Sequence, residues 1–588
     1  MSSLLKQLRE TKSFLYTLQN NVNSKQDVLA WFQDLCGKLC DLLLKIAESV
    51  RQNGEPMNQI DKETMLLYLL QLNTTLSVLI KIFTTEGDIG ITINESRQCI
   101  LQQIAMCLTG LENVLNSNVV ATKNVASVGF VKYMDLALDK LTEIDVEGEL
   151  KLVWTSTENA RQVIEEVLCH AMSIAQVALK DDCNVIKGSS KEVLHNFDYL
   201  VKELHQPTPR ISMCNLFIDA ACDKLCALER KVNAAVLKLS LKVFSECAKP
   251  LEDLHRFCLR SRQDEAALDE AVADFDLHVD RMIQVGLFAV SCSSDRNCTL
   301  RMRSCLASLE ALEGELVPAL TTLVQDCAVQ NLYHAEMLKH YWLRQAGDLK
   351  KHIYLIIDPF AFCQVTHEVI RDINAELEER FREVSAVDKS HIKPITLQAK
   401  ILYEMLLVSL VDSPIENQAL IRRYLDDVIC VTMEIDAAAE KLLSDGDGEM
   451  CKTNVLRVFK RCKVQENILK KLLDALSKSP TSCKAKTVSA PTTPSENIAV
   501  EEEQAMEHIT TRGKQILRDR SVLYKTPNKA PLNIAVQQLH GRVPQPLSRL
   551  LHQRNMQFSH SRSETTSCDL QITDILDNLT LLSASLQQ

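Results

Sequence analysis

The residues best equipped for chemistry in this chain are its 21 cysteines, 14 histidines and abundant acids. Cys36 and Cys40 lie four apart, as do Cys222 and Cys226, and Cys363 and His367. On a helix each pair shares one face. A structural metal site needs about four such ligands converging, and no Cys-x-x-Cys supplies the rest. These side chains read as small core residues. His334, His340 and His352 fall on one helix, but none of their separations is three or four, so they read as solvated or satisfied rings. Asp445-Gly446-Asp447-Gly448-Glu449 places its glycines too early for a calcium loop. His367-Glu368 lacks the second histidine of a zinc-protease helix, and Lys187-Gly188-Ser189-Ser190 has the wrong order for a phosphate loop. Gly-x-Ser-x-Gly and dinucleotide fingerprints are missing as well. We therefore expect no catalytic, metal or cofactor site.

One charged segment stands out. Between Arg512 and Arg562 there are ten Lys or Arg against the single Asp519, in a chain whose net charge is −11. Arg518, Arg520, Tyr524 and Lys525 form its densest cluster and are the candidate partner-binding residues. Such charge suits anionic lipid of the inner leaflet, an acidic actin filament or folding onto a partner. It equally suits a solvated tail. The acidic remainder argues against a nucleic-acid-coating surface.

The elements that must carry these residues are helices. Glycine and proline number only 15 each in 588 residues, and aromatics make up 5%, which leaves too few turns for a sheet protein. Met302, Cys305, Leu309, Leu312, Leu316, Leu320, Leu323 and Cys327 recur in steps of three and four. Ala335, Leu338, Trp342, Ala346, Leu349, Ile353 and Ile356 do the same. Each set forms one stripe of a long helix that needs a neighbour to bury it. Pro318 falls inside the first helix and predicts a kink.

The fold class is thus all-α, with tandem four-helix-type bundles linked by long helices and a disordered C-terminal tail. We expect an N-terminal bundle over 1–185, middle bundles over 186–385, C-terminal helices over 386–478, and a mostly disordered basic tail over 479–588. The last stretch of that tail, Leu570 to Leu582, returns to helical spacing. Asn53-Gly54-Glu55-Pro56 and Ser444-Asp445-Gly446-Asp447-Gly448 read as helix ends. Asp412-Ser413-Pro414-Ile415-Glu416, Thr92-Ile93-Asn94-Glu95 and Ser189 with Glu192 read as capped starts. Ile211 to Pro250 should form a rod shared by two bundles. The segment Met65–Phe83 is interrupted by polar residues and reads as a buried bundle helix rather than a membrane span. The amino terminus carries no apolar leader, which predicts reduced thiols and a cytoplasmic protein.

The ordered run from Ala289-Val290-Ser291-Cys292-Ser293 through Leu309-Glu310-Ala311-Leu312 to the Trp342 helix and Phe362-Cys363-Gln364-Val365 resembles the middle bundles of the vinculin and α-catenin family. Length and tail look like its shorter offshoot, the serendipity-α proteins. The resemblance is good over residues 200–385. It implies a non-enzymatic cytoskeletal adaptor acting with actin filaments or actin-associated proteins at the cytoplasmic face of the plasma membrane, in embryonic membrane invagination and cellularisation. The family's carboxy-terminal five-helix actin-binding bundle is not evident here. The remaining alternative is an all-α adaptor that binds partner helices or anionic membrane without direct actin binding.

Overall fold

The computed structural model describes residues 2–20, 28–52, 59–116, 129–260, 265–382, 389–412, 418–444, 448–477, 499–519 and Leu523. Among these there are seventeen helices and no strand: α1 (Ser2–Asn20), α2 (Val28–Gln52), α3 (Gln59–Ile89), α4 (Asn94–Leu115), α5 (Phe130–Thr142), α6 (Leu150–Val177), α7 (Lys180–Leu204), α8 (Ile211–Ser245), α9 (Lys249–Cys258), α10 (Glu265–Cys292), α11 (Arg296–Gln325), α12 (Val329–Tyr354), α13 (Pro359–Arg382), α14 (Lys389–Asp412), α15 (Gln418–Ser444), α16 (Gly448–Ser477) and α17 (Ala499–Asp519).

Helix pairing follows the buried stripes. Leu309, Leu312, Leu316, Leu320 and Trp342 have no exposed surface, because α11 and α12 pack against each other along both stripes. Asp295 starts α11 as its N-cap, its carboxylate accepting from Asn297 N at 2.9 Å. Pro318 lies within α11 without dividing it. Helices α1 to α4 pack together, and α3 and α4 then dock on α11 and α12. The α3–α11 contact is pinned by a buried polar cluster. Gln71 Nε2 donates to Ser304 O at 2.7 Å and Ser308 Oγ at 3.0 Å, and Ser308 is also hydrogen-bonded to Tyr341 of α12. α3 is long and apolar enough to cross a membrane by length and composition alone, and 56% of its apolar window is buried by these neighbours.

Helices α5, α6, α7 and α8 form a second group with α10, and α13 to α16 form a third. α8 joins these two. Its 35 residues span about 52 Å at 1.5 Å per residue. Lys224, Lys231 and Lys238, about two turns apart on one face, reach Glu192, Ser189 and Asp182 of α7. Its far end places Phe244 against Tyr354 of α12, with ring centroids 6.1 Å apart, and Glu246 just beyond it accepts from Lys393 of α14 at 2.8 Å. The expected shared rod is present. It stops at Ser245, and Pro250 sits in the first turn of α9, where its missing N–H costs nothing.

Several local expectations are corrected. Ser189 does not start a helix: it is buried inside α7, which begins at Lys180 after an extended Ala178 and Leu179. Asp181 and Asp182 in the first turn suit the positive end of the helix dipole better than Ser189 could. α4 begins at Asn94 with Ile93 as N-cap and no side-chain cap. Its donors are met instead by Glu86 of α3, whose Oε1 accepts from Ile93 N at 2.6 Å and from Arg97 Nε at 2.9 Å. The chain can turn between them because Gly90 takes φ +67°. Most different is the segment read as linker beyond Ser477, which contains α17. The motifs at Asn53–Pro56, Ser413–Glu416 and Asp445–Asp447, and the terminal stretch Leu570–Leu582, lie outside the described residues. The division expected at residue 185 falls within α7.

Candidate functional site

The part of the basic segment that the structure describes is the α17 end, and α17 lies on α6, with α7 alongside. Its stripe is short. Met506 and Ile509 are buried, and Ile516, Leu517 and Leu523 are partly buried against the same core. Between them comes Gly513, the point of closest approach. A Cβ there would stand 2.8 Å from Met172 Cβ, 2.9 Å from Cys169 O and 3.0 Å from Ser173 N. Two of those three atoms are backbone, so only glycine lets the axes come this close.

Electrostatics align with that seam. Arg512 stands beside Glu166, Cys169, His170 and Tyr133. Burial raises the Glu166 carboxyl and the Arg512 charge pulls it back. Burial, then Arg512, hold His170 neutral, down to about 4, and its ring stacks on Tyr133 at 5.1 Å. Burial pushes the Cys169 thiol up to about 12, and Tyr133 to about 12. The arrangement holds a helix by a small-residue crossing, a short apolar stripe and the attraction of Arg512 for the Glu166 carboxyl. It contains no poised nucleophile.

Of the sequence-selected residues, Arg518 is exposed in the last turn of α17. Arg520, Tyr524 and Lys525 lie outside the described residues. The signal missed in the sequence was Met506, Ile509 and Gly513, whose helical spacing follows the acidic run Glu501–Glu503.

The cysteine and histidine pairs are packing residues. Burial pushes Cys36, Cys222 and Cys363 up to about 12, and raises Cys40 and Cys226 in the same direction. Such thiols stay protonated at neutral pH and are poor nucleophiles and ligands. His334 Nδ1 meets Ser96 Oγ of α4 at 2.9 Å, whereas His340 Nδ1 turns back to Glu336 O of its own helix at 2.7 Å. Among the described residues no group of three His, Cys, Asp or Glu converges to hold a metal ion.

Comparison with known proteins gives a consistent result. A family model described as Serendipity locus alpha protein (SRY-A) matches residues 1–533. The serendipity locus protein alpha of Drosophila virilis is 26% identical over 479 residues, covering 76% of this chain and 83% of that protein. Its counterpart in Drosophila subobscura is 28% identical over 377 residues, covering 61% and 66%. Among solved structures, a vinculin homologue from a sponge aligns with TM-score 0.53 at 14% identity, over 80% of this chain and 59% of that one. The HMP-1 M domain aligns with TM-score 0.46 at 15% identity, over 59% of this chain and 99% of that one. The sponge protein shares the all-helical bundle fold.

Proposed function

Since this chain belongs to the serendipity locus alpha family, we propose that it is a non-enzymatic cytoskeletal scaffold that organises actin filaments at the inner face of the plasma membrane during embryonic membrane invagination. The observation that carries this reading is the architecture: helical bundles tied by a shared rod, with the buried stripes of the described residues packed against other helices. Bundles of this kind bind partners by laying helices into apolar grooves. The sponge homologue's description speaks of cell adhesions, which supports, for this chain, a role where filaments meet membrane.

Filament co-sedimentation with the full chain and with a chain ending at Asp519 tests the proposal. The shorter chain keeps α17 in place. Pelleting of the full chain is expected; if neither chain pellets, direct filament binding is excluded. The ten basic residues between Arg512 and Arg562 favour a second reading, in which the tail binds anionic inner-leaflet lipid. That reading predicts co-flotation of the full chain, and not the shorter one, with phosphatidylserine vesicles at low salt. Loss of flotation at about 0.5 M salt is expected as well, since screening shortens the reach of surface charge to a few ångströms.

A further inference from the structure

Helix α17 reaches its groove from outside. In the chain it follows α16, which packs with α13 and α15, yet α17 itself packs on α6 and α7 of a different bundle. Residues 478–498 make the connection. Among the described side chains of α17 only Met506, Ile509 and Gly513 are buried, whereas Cys169 and Met172 of α6, with Tyr133 of α5, present an apolar floor beneath it. The fit is nevertheless specific, through the glycine notch and the positive charge of Arg512, which acts on the Glu166 carboxyl.

We propose that the α6 face under α17 is an exchangeable helix-docking site, and that its partner in trans is α17 of a second copy of this chain. Nothing in the groove distinguishes a helix delivered by its own tether from the same helix delivered by a neighbour. Exchange of an identical element is a low-cost route to a dimer. At low concentration the resident helix is favoured, because linkage in one chain raises its effective concentration at the groove. Crowding of copies at one place shifts the balance towards exchange, joining two scaffolds without any new interface. This inference does not depend on what the bundles bind.

Charge reversal at two half-exposed positions tests it in the full chain. Glu166→Arg sets a cation under the resident Arg512, and Arg512→Glu sets an anion over the resident Glu166. Each repels its own α17. Mixed, the two chains restore opposite charges only by trading helices. Light scattering should show each variant at monomer mass and their equimolar mixture at twice that mass in low salt. The double variant Glu166→Arg/Arg512→Glu should return to monomer mass, and Gly513→Leu in both chains should abolish the complex. Circular dichroism confirms that each chain keeps its helices. A mixture that stays at monomer mass overturns the proposal, as does a dimer that survives Gly513→Leu.

Discussion

At the scale of single residues, buried polar groups are the sharpest points of leverage. Arg97 and Glu86 are both nearly buried, and Arg97 also lies over the Phe83 ring at 5.2 Å. Removing one partner strands a charge, so Arg97→Leu should cost about 3–5 kcal/mol in denaturant unfolding. Glu86→Leu/Arg97→Leu should recover only part of that, because Ile93 N loses its acceptor. A second expectation concerns acid. His170 and His278 are both lowered from 6.5 to about 4, burial being the main cause. The unfolded chain therefore takes up these protons first. The stability they contribute is complete above about pH 6.5 and is lost as pH falls towards 4, at up to about 1.4 kcal/mol per pH unit for each ring. Melting from pH 7.5 down to 4.5 should show this slope, and His170→Asn/His278→Asn should flatten it. An unchanged slope would place the responsible groups elsewhere.

At the scale of elements, the sequence was legible wherever an apolar stripe was long. Leu309 to Leu323 and Leu338 to Ile353 run through α11 and α12 as their spacing requires. Leu309→Asp should accordingly cost several kcal/mol, read as a lowered denaturant midpoint, because a carboxylate cannot be solvated in that seam. The polar contact is gentler: Gln71→Leu removes the amide's hydrogen bonds to Ser304 and Ser308 while Ser308 keeps Tyr341, and about 1–3 kcal/mol is expected. Short-range capping motifs were poorer guides. Ser189 with Glu192 satisfies the pattern, yet the packing of α7 on α8 buries Ser189 in mid-helix, and tertiary contacts decide where a helix begins. α17 was illegible for the same reason. Two apolar residues and a glycine are too few to announce a helix, and the groove that makes them sufficient lies more than three hundred residues away in the chain.

At the scale of the whole molecule, the groups of helices are coupled through α8. Ala234→Pro in its middle removes a backbone donor and clashes with the preceding turn, a cost of about 3 kcal/mol or more. Calorimetry should then show both the α5–α8 group and the α13–α16 group melting earlier, although the substitution touches neither α13 nor α16. Separate transitions, with one unaffected, would mean that the rod does not couple them. Of the candidate partner-binding residues, Arg518 lies in the last turn of α17, which follows α16 in the chain and packs on α6 and α7 of another group.

The rod also sets a phase relation. Between Lys238, which still faces α7, and Phe244, which already faces α12, the helix turns about 100° per residue and 3.6 residues complete a turn. One extra residue placed there would swing everything downstream through about 100°, slightly more than a right angle, and set the two groups out of azimuthal step. Seven extra residues, nearly two full turns, would leave the azimuth within about 20° and lengthen the spacing by about 10.5 Å. The number of residues in α8, counted in whole turns, is therefore what fixes how one end of this molecule is aimed relative to the other.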